Sequence, residues 1–219
     1  MLEFLLVQVF AGVGLVATVL GSLLGTLRRR TPAEPEGAVT RRSLVPGTQT
    51  VWIVGTLVAV FWPAGVLVVP RIFYDWPAIP GFPYAWAAQL GGILLAACGG
   101  VLFVQAARAL GEKMTPVVQV RSGSAFVQSG PYRYVRHPVY TAIVAVALGN
   151  ALLFVSAPLA LLGAVLAGVA TYRARAEEDL LGSDEGYGAA YREYVDRTGR
   201  FLPRRARPPR PPDPGPTRS

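Results

Sequence analysis

The chain has 219 residues, a formal net charge of +8, 52% hydrophobic residues and only 16% charged ones, with a mean hydropathy of +0.40. That balance excludes an ordinary soluble domain, because apolar runs of about 17 to 27 residues recur and a run of about 20 crosses a bilayer as helix. The runs are too uniformly apolar for barrel strands, which alternate, so an all-α polytopic integral membrane protein with about five transmembrane helices is expected.

The first predicted span covers residues 2–27 and is stopped by Arg28-Arg29-Arg30. Its length, and Glu3 where a leader would carry a basic residue, argue against a cleaved signal peptide. A second span is predicted over 51–69, with Pro63 as a kink that a membrane helix tolerates. The loop 70–83 is poor in charge and carries Tyr74 and Trp76, as an outer interfacial belt would. A third span follows over 84–110, with Gly91-Gly92 and Gly99-Gly100 as points of close helix packing. The fourth, 139–155, and the fifth, 158–172, are separated only by Ser156-Ala157 and must form a tight antiparallel hairpin. Beyond 172 the polarity changes, and one or two amphipathic helices interrupted near 182–188 are expected. From 204 onward prolines and arginines dominate, the composition of a disordered, solvated tail.

Charge asymmetry sets an expected topology. Basic segments 28–50, 108–138 and 173–219 belong on the cytoplasmic side, which five spans with the N-terminus outside satisfy together. The positive charge is nearly all arginine, with Lys113 the single lysine; this suggests a GC-rich genome and a bacterial plasma membrane. It fits the positive-inside rule and attraction to anionic lipid rather than nucleic-acid binding, for which no folded soluble domain is expected. Cys98 is alone and lies in an apolar run, so neither a disulfide framework nor a thiolate metal site is expected within the chain.

Chemistry concentrates at the start of the fourth span, in Gly130-Pro131-Tyr132-Arg133-Tyr134-Val135-Arg136-His137-Pro138-Val139-Tyr140, which holds the only histidine. Pro138 suits the first turn of a helix and disfavours helix in the residue before it, so His137 should cap the span with its ring and carbonyl facing a polar pocket. Tyr140, one turn inside, should return its hydroxyl to that pocket. Taken alone, Arg-His-Pro reads equally well as a headgroup anchor. The other end of the hairpin adds a second cluster, Arg173-Ala174-Arg175-Ala176-Glu177-Glu178. Arg173 and Glu177 lie four residues apart on one helix face, a spacing that also fits an exposed salt-bridge ladder. Further on, Tyr187, Tyr191 and Tyr194 share a helical face that packing alone would explain.

Gly-Pro-Tyr-Arg-Tyr-Val-Arg-His-Pro-x-Tyr, a two-helix hairpin, Glu-Glu, Tyr-Gly-x-x-Tyr-x-x-Tyr and Arg-Phe-Leu-Pro together resemble the isoprenylcysteine carboxyl methyltransferase family, within a wider group acting on phospholipids and small thiols. The similarity covers about 84–203, departing from the family's pattern at Ala142, where glycine is usual, and in a slightly long interval over 182–186. It implies a methyltransferase core at 84–203, preceded by two N-terminal helices with a basic loop at 1–83 and followed by the tail at 204–219. It also implies S-adenosylmethionine as cofactor, with Tyr132, Arg136, His137, Tyr140, Glu178, Tyr187 and Tyr191 as its binding residues. Arg173 and Glu177 are then the candidate catalytic residues. The implied acceptor is lipidic, a carboxylate first, with phospholipid amines and small thiols as alternatives. A carboxylate acceptor is already ionised and could be oriented by Arg173; an amine or thiol would need a base, Glu177 or His137. Other readings are an NADPH-dependent sterol-type reductase, whose pattern differs where Pro138 follows His137, and a non-catalytic membrane scaffold. A transporter would show charged spans and internal repeats, and neither is visible.

Overall fold

The computed structural model describes residues 39–41, 45–75, 82–111, 119–121, 126–184 and 186–204. The predicted first span 2–27, the tail beyond 204, Trp76 and Lys113 lie outside the described residues.

Helix α1 (Thr48–Val68) starts after Gly47, whose φ of 85° lies in the left-handed region that glycine adopts freely. The helix runs through Pro63 without ending. It is followed by a single π-helical turn, Arg71–Asp75, which brings Phe73 back over Gly65. A Cβ at Gly65 would lie 2.6 Å from that ring, and Trp62 Nε1 donates to the Phe73 carbonyl at 3.0 Å.

Helices α2 (Ala85–Leu110) and α3 (Pro138–Leu153) pack through small residues. A Cβ on Gly92 would lie 2.5 Å from the Leu153 nitrogen, and one on Gly149 2.6 Å from the Ala96 nitrogen. One on Gly99 would lie 2.9 Å from the Ala142 carbonyl, whereas Gly91 and Gly100 face open space. One member of each glycine pair therefore sets the approach. Ala142 is fully buried, and Gly99 supplies the closeness that a glycine at 142 would otherwise give.

With 16 residues, α3 is about 24 Å long, short of a hydrocarbon core of about 30 Å. Buried amides complete its C-terminal end. Gln89 Nε2 donates to the Leu153 carbonyl at 3.2 Å, meeting one of the carbonyls a helix end leaves without an intrahelical partner. Asn150 Nδ2 donates to the Ala59 carbonyl of α1 at 2.7 Å. The chain then reverses through Val155, at φ 48°, and Ser156 Oγ caps helix α4 (Ala157–Leu181) by accepting from the Leu159 amide at 3.4 Å. This is the expected tight hairpin. Ala59, Ile143, Ala147, Leu166 and Ala170 form a shared core of α1, α3 and α4.

Two features add detail to the sequence expectation. The helix of the fifth predicted span, 158–172, continues unbroken through the charged segment to Leu181, where the expected interruption near 182–188 begins. Alanine, arginine, glutamate and leucine favour helix, and the first breaker is Gly182. With 25 residues, α4 is about 37 Å long, so its last turns project beyond the apolar layer. The all-helical plan also carries one small addition. Strand β1 (Val39–Arg41) pairs antiparallel with β2 (Gln119–Arg121), bringing the segment before α1 and the segment after α2 to the same end of the bundle.

After a turn from Gly182, helix α5 (Gly188–Arg197) completes the described chain's secondary structure. α1, α2 and α4 are each long and apolar enough to cross a membrane, and α3 is a shorter apolar helix. Leu94, Val101 and Leu161 stand exposed on their outer faces, the apolar surface that lipid would cover.

Candidate active site at the end of the helical hairpin

Pro138 occupies the first turn of α3 and His137 is its N-cap, as the Arg-His-Pro sequence requires. The His137 carbonyl does not face a pocket. It accepts from the Thr141 amide at 3.1 Å. The ring, which is buried, carries the chemistry.

Glu178 is the centre of the cluster. Its Oε1 accepts from Arg136 Nε at 2.9 Å, His137 Nε2 at 3.1 Å and Arg200 Nε at 3.1 Å. Its Oε2 accepts from Arg200 Nη2 at 2.6 Å. A carboxylate has about four lone-pair sites, so these donors saturate it. Its hydrogen bond is the main cause that raises the Arg200 guanidinium above its ordinary value, and both groups are therefore charged. Because Glu178 only accepts, His137 must carry its proton on Nε2, which leaves Nδ1 facing Glu177.

The adjacent glutamate is differently placed. Glu177 Oε2 accepts from the Tyr140 hydroxyl at 3.1 Å and lies 3.6 Å from His137 Nδ1. Its side chain is 34% exposed against 10% for Glu178, so Glu177 retains acceptor capacity that solvent can reach. Beside it the His137 and Tyr140 rings stack, with centroids 5.4 Å apart and planes 7° from parallel.

Arg173 is not part of an exposed ladder; it is 1% exposed. Its Nη1 donates to Gln49 Oε1 of α1, and its guanidinium lies 5.9 Å from the Trp52 ring and 6.0 Å from the Tyr140 ring. Three of the tyrosines singled out by sequence sit in or beside an aromatic cluster. Phe126 contacts Tyr187, Tyr191 and Tyr194 with centroids 4.9, 5.5 and 5.3 Å away, and the buried Tyr194 donates its hydroxyl to the Tyr132 carbonyl at 2.5 Å. Burial raises the phenols of Tyr132 and Tyr191, and pushes Tyr194 up to about 12, so all three stay protonated. Tyr187, Tyr191 and Tyr194 thus pack on Phe126 beside the site, the charge of Glu177 reaches the Tyr132 and Tyr191 phenols, and Arg136, His137, Tyr140, Glu177 and Glu178 are brought together in it.

The segment after α5 seals this arrangement, and only its Arg-Phe-Leu-Pro signature pointed to it in the sequence. The Arg136 amide donates to the Gly199 carbonyl at 2.8 Å, the His137 amide to the Arg200 carbonyl at 3.1 Å, and the Gly199 amide to the Tyr134 carbonyl at 3.1 Å. Arg136 Nη1 also donates to the Val195 carbonyl at 3.1 Å and to that of Thr198, and the Thr141 hydroxyl donates to Phe201 O at 3.0 Å. Gly199 has no room for a side chain, since a Cβ would lie 1.7 Å from the Leu202 carbonyl. Gly199→Ala should therefore detach residues 198–204 and cost about 2 kcal/mol or more in thermal unfolding. An unaltered melting temperature would show that the seal adapts. Gln49 and Trp52 carried no sequence signal, because they enter the site only through packing of α1 on α3 and α4.

Membrane-length helices ending in a buried Arg–His–Glu cluster, with one carboxylate left open beside two stacked rings, define an integral membrane protein with a polar site at the bundle's end. Residues 92–183 match the model described as the isoprenylcysteine carboxyl methyltransferase (ICMT) family. Through that segment the chain is similar to this family, whose members are membrane methyltransferases. No curated protein matches the chain. The matched segment contains the stretch 130–140, the hairpin and both glutamates. It leaves out α1, α5 and Arg200.

Proposed function

We propose that the protein transfers a methyl group from S-adenosylmethionine to a lipidic acceptor, most simply a carboxylate of the isoprenylcysteine type. The observation that carries the cofactor reading is the division between the two glutamates. Glu178 is saturated, whereas Glu177 is one-third exposed beside the His137–Tyr140 stack. A solvent-reachable carboxylate and aromatic faces are what a sulfonium and an ammonium group require, so the donor set fits the cofactor. When bound, S-adenosylmethionine supplies an electrophilic methyl group.

The chain's own residues bind and orient. Glu177 and Tyr140 face the cofactor, with Arg136 and Glu178 holding His137 in place. A carboxylate acceptor needs no base, so the remaining task is positioning and exclusion of water, with Arg173 as the cation that orients the acceptor. The methyltransferase core is 84–203, and the N-terminus lies outside with the site on the cytoplasmic side, in keeping with the basic segments.

The linkage formed identifies the acceptor. Membranes from cells expressing the protein, incubated with methyl-labelled S-adenosylmethionine, should yield lipid-extractable label that mild alkali releases as volatile methanol. Alkali-stable label would move the acceptor to an amine or a thiol. No label with folded, inserted protein would overturn the transferase reading.

A further inference from the structure

We infer that α1, which lies outside the family-matched segment, completes the site, and that its Gln49 and Trp52 are positioning residues that set how Glu177 is presented. The inference rests on Glu177 as the cofactor's carboxylate. Tyr140, whose hydroxyl donates to Glu177 at 3.1 Å, is enclosed by three groups. His137 stacks on it at 5.4 Å, Trp52 meets it edge-on with centroids 5.0 Å apart and planes at 80°, and the Arg173 guanidinium lies 6.0 Å from its ring. Two of these walls depend on α1. Trp52 belongs to it, and Arg173 donates to its Gln49.

The chemistry of Gln49 suits this task. Its carboxamide oxygen accepts from the guanidinium and so fixes where Arg173 stands beside the Trp52 and Tyr140 rings. Trp52 is buried, so it need not touch a ligand for its placement to matter. The direction of the Tyr140 hydroxyl, and with it the rotamer of Glu177, is decided by a helix the family match does not include. Variation along α1 at 49 and 52 would then alter ligand binding while leaving the Arg136–Glu178–Arg200 network intact.

The test uses the full chain in detergent, labelled with nitrogen-15 histidine, because His137 is the only histidine and its imidazole signals are unambiguous. Without ligand, Trp52→Leu and Gln49→Ala should each move those signals, Trp52→Phe should restore them towards wild type, and Val58→Ala, on the exposed face of α1, should not move them. With S-adenosylmethionine as the probe, Trp52→Leu should weaken Kd about fivefold. The same change should add nothing in a Tyr140→Leu background, since Trp52 acts through Tyr140. Unmoved imidazole signals in Trp52→Leu and Gln49→Ala, or fully additive Kd effects, would overturn the inference. If the wild type binds no S-adenosylmethionine, the imidazole signals still decide the role of α1, and that failure counts against the transferase reading alone.

Discussion

Glu178→Ala should unfold the polar end of the bundle rather than remove a ligand contact. Glu178 is 10% exposed, and it accepts from Arg136, which is 7% exposed, and His137, which is 4% exposed. Removing it leaves a guanidinium and a ring nitrogen buried without their acceptor, and breaking a buried pair in this way costs about 3 kcal/mol or more. Arg200, being 35% exposed, can turn to water, so Arg200→Ala should cost about 1 kcal/mol. The loss in Glu178→Ala should spread along the backbone. Arg136 also holds the Val195 and Thr198 carbonyls, and the bridge between Val135 and Gly199 lies next to it. Thermal unfolding in detergent should fall by several degrees, and proteases should reach the chain after Arg197. Methyl transfer would be lost with the structure. A Glu178→Ala protein of wild-type stability that had lost only ligand binding would return Glu178 to the cofactor.

This division between neighbouring glutamates could not be read from Glu177-Glu178 as letters. Successive residues on a helix point about 100° apart, so one of two adjacent carboxylates faces the packed side while the other does not. Which is which depends on where α3 and the segment 198–201 dock. What the sequence did display was whatever depends on local chemistry: the hydrophobic runs, the cap at His137 fixed by Pro138, the tight turn at Ser156 and the break at Gly182. The predicted fifth span ends at 172 because a change in polarity there marks where the bilayer stops, not where the helix does. A helix stops where propensity and hydrogen bonding fail, and here that is Gly182. Tyr187 and Tyr191 matched a family pattern, yet they lie against Phe126, a contact across more than 60 residues that spacing does not encode. Gln49 and Trp52 were illegible for the same reason.

Glu177→Gln should give the opposite pattern to Glu178→Ala: normal stability with impaired binding. The Glu177 side chain is 34% exposed and, among the described residues, meets the Tyr140 hydroxyl and the nearby His137 Nδ1. A glutamine keeps an oxygen for Tyr140, so the melting temperature should change little. What disappears is the negative charge beside the stacked His137 and Tyr140 rings. A charge-assisted contact is roughly twice as strong as a neutral one, so S-adenosylmethionine should bind at least about tenfold more weakly, a loss of about 1.4 kcal/mol. Calorimetric titration of the purified full chain measures this directly. NADPH, as a control ligand, should show no saturable heat in either protein. Wild-type affinity in Glu177→Gln would mean that the open carboxylate is not the cofactor's anchor. The stacked rings and Arg136 would then have to hold the ligand, and the charge at Glu177 would be left with the acceptor. Weakened binding in a fully folded variant would instead separate the two carboxylates by experiment as the structure separates them by geometry, one fixing the histidine and the other meeting the cation.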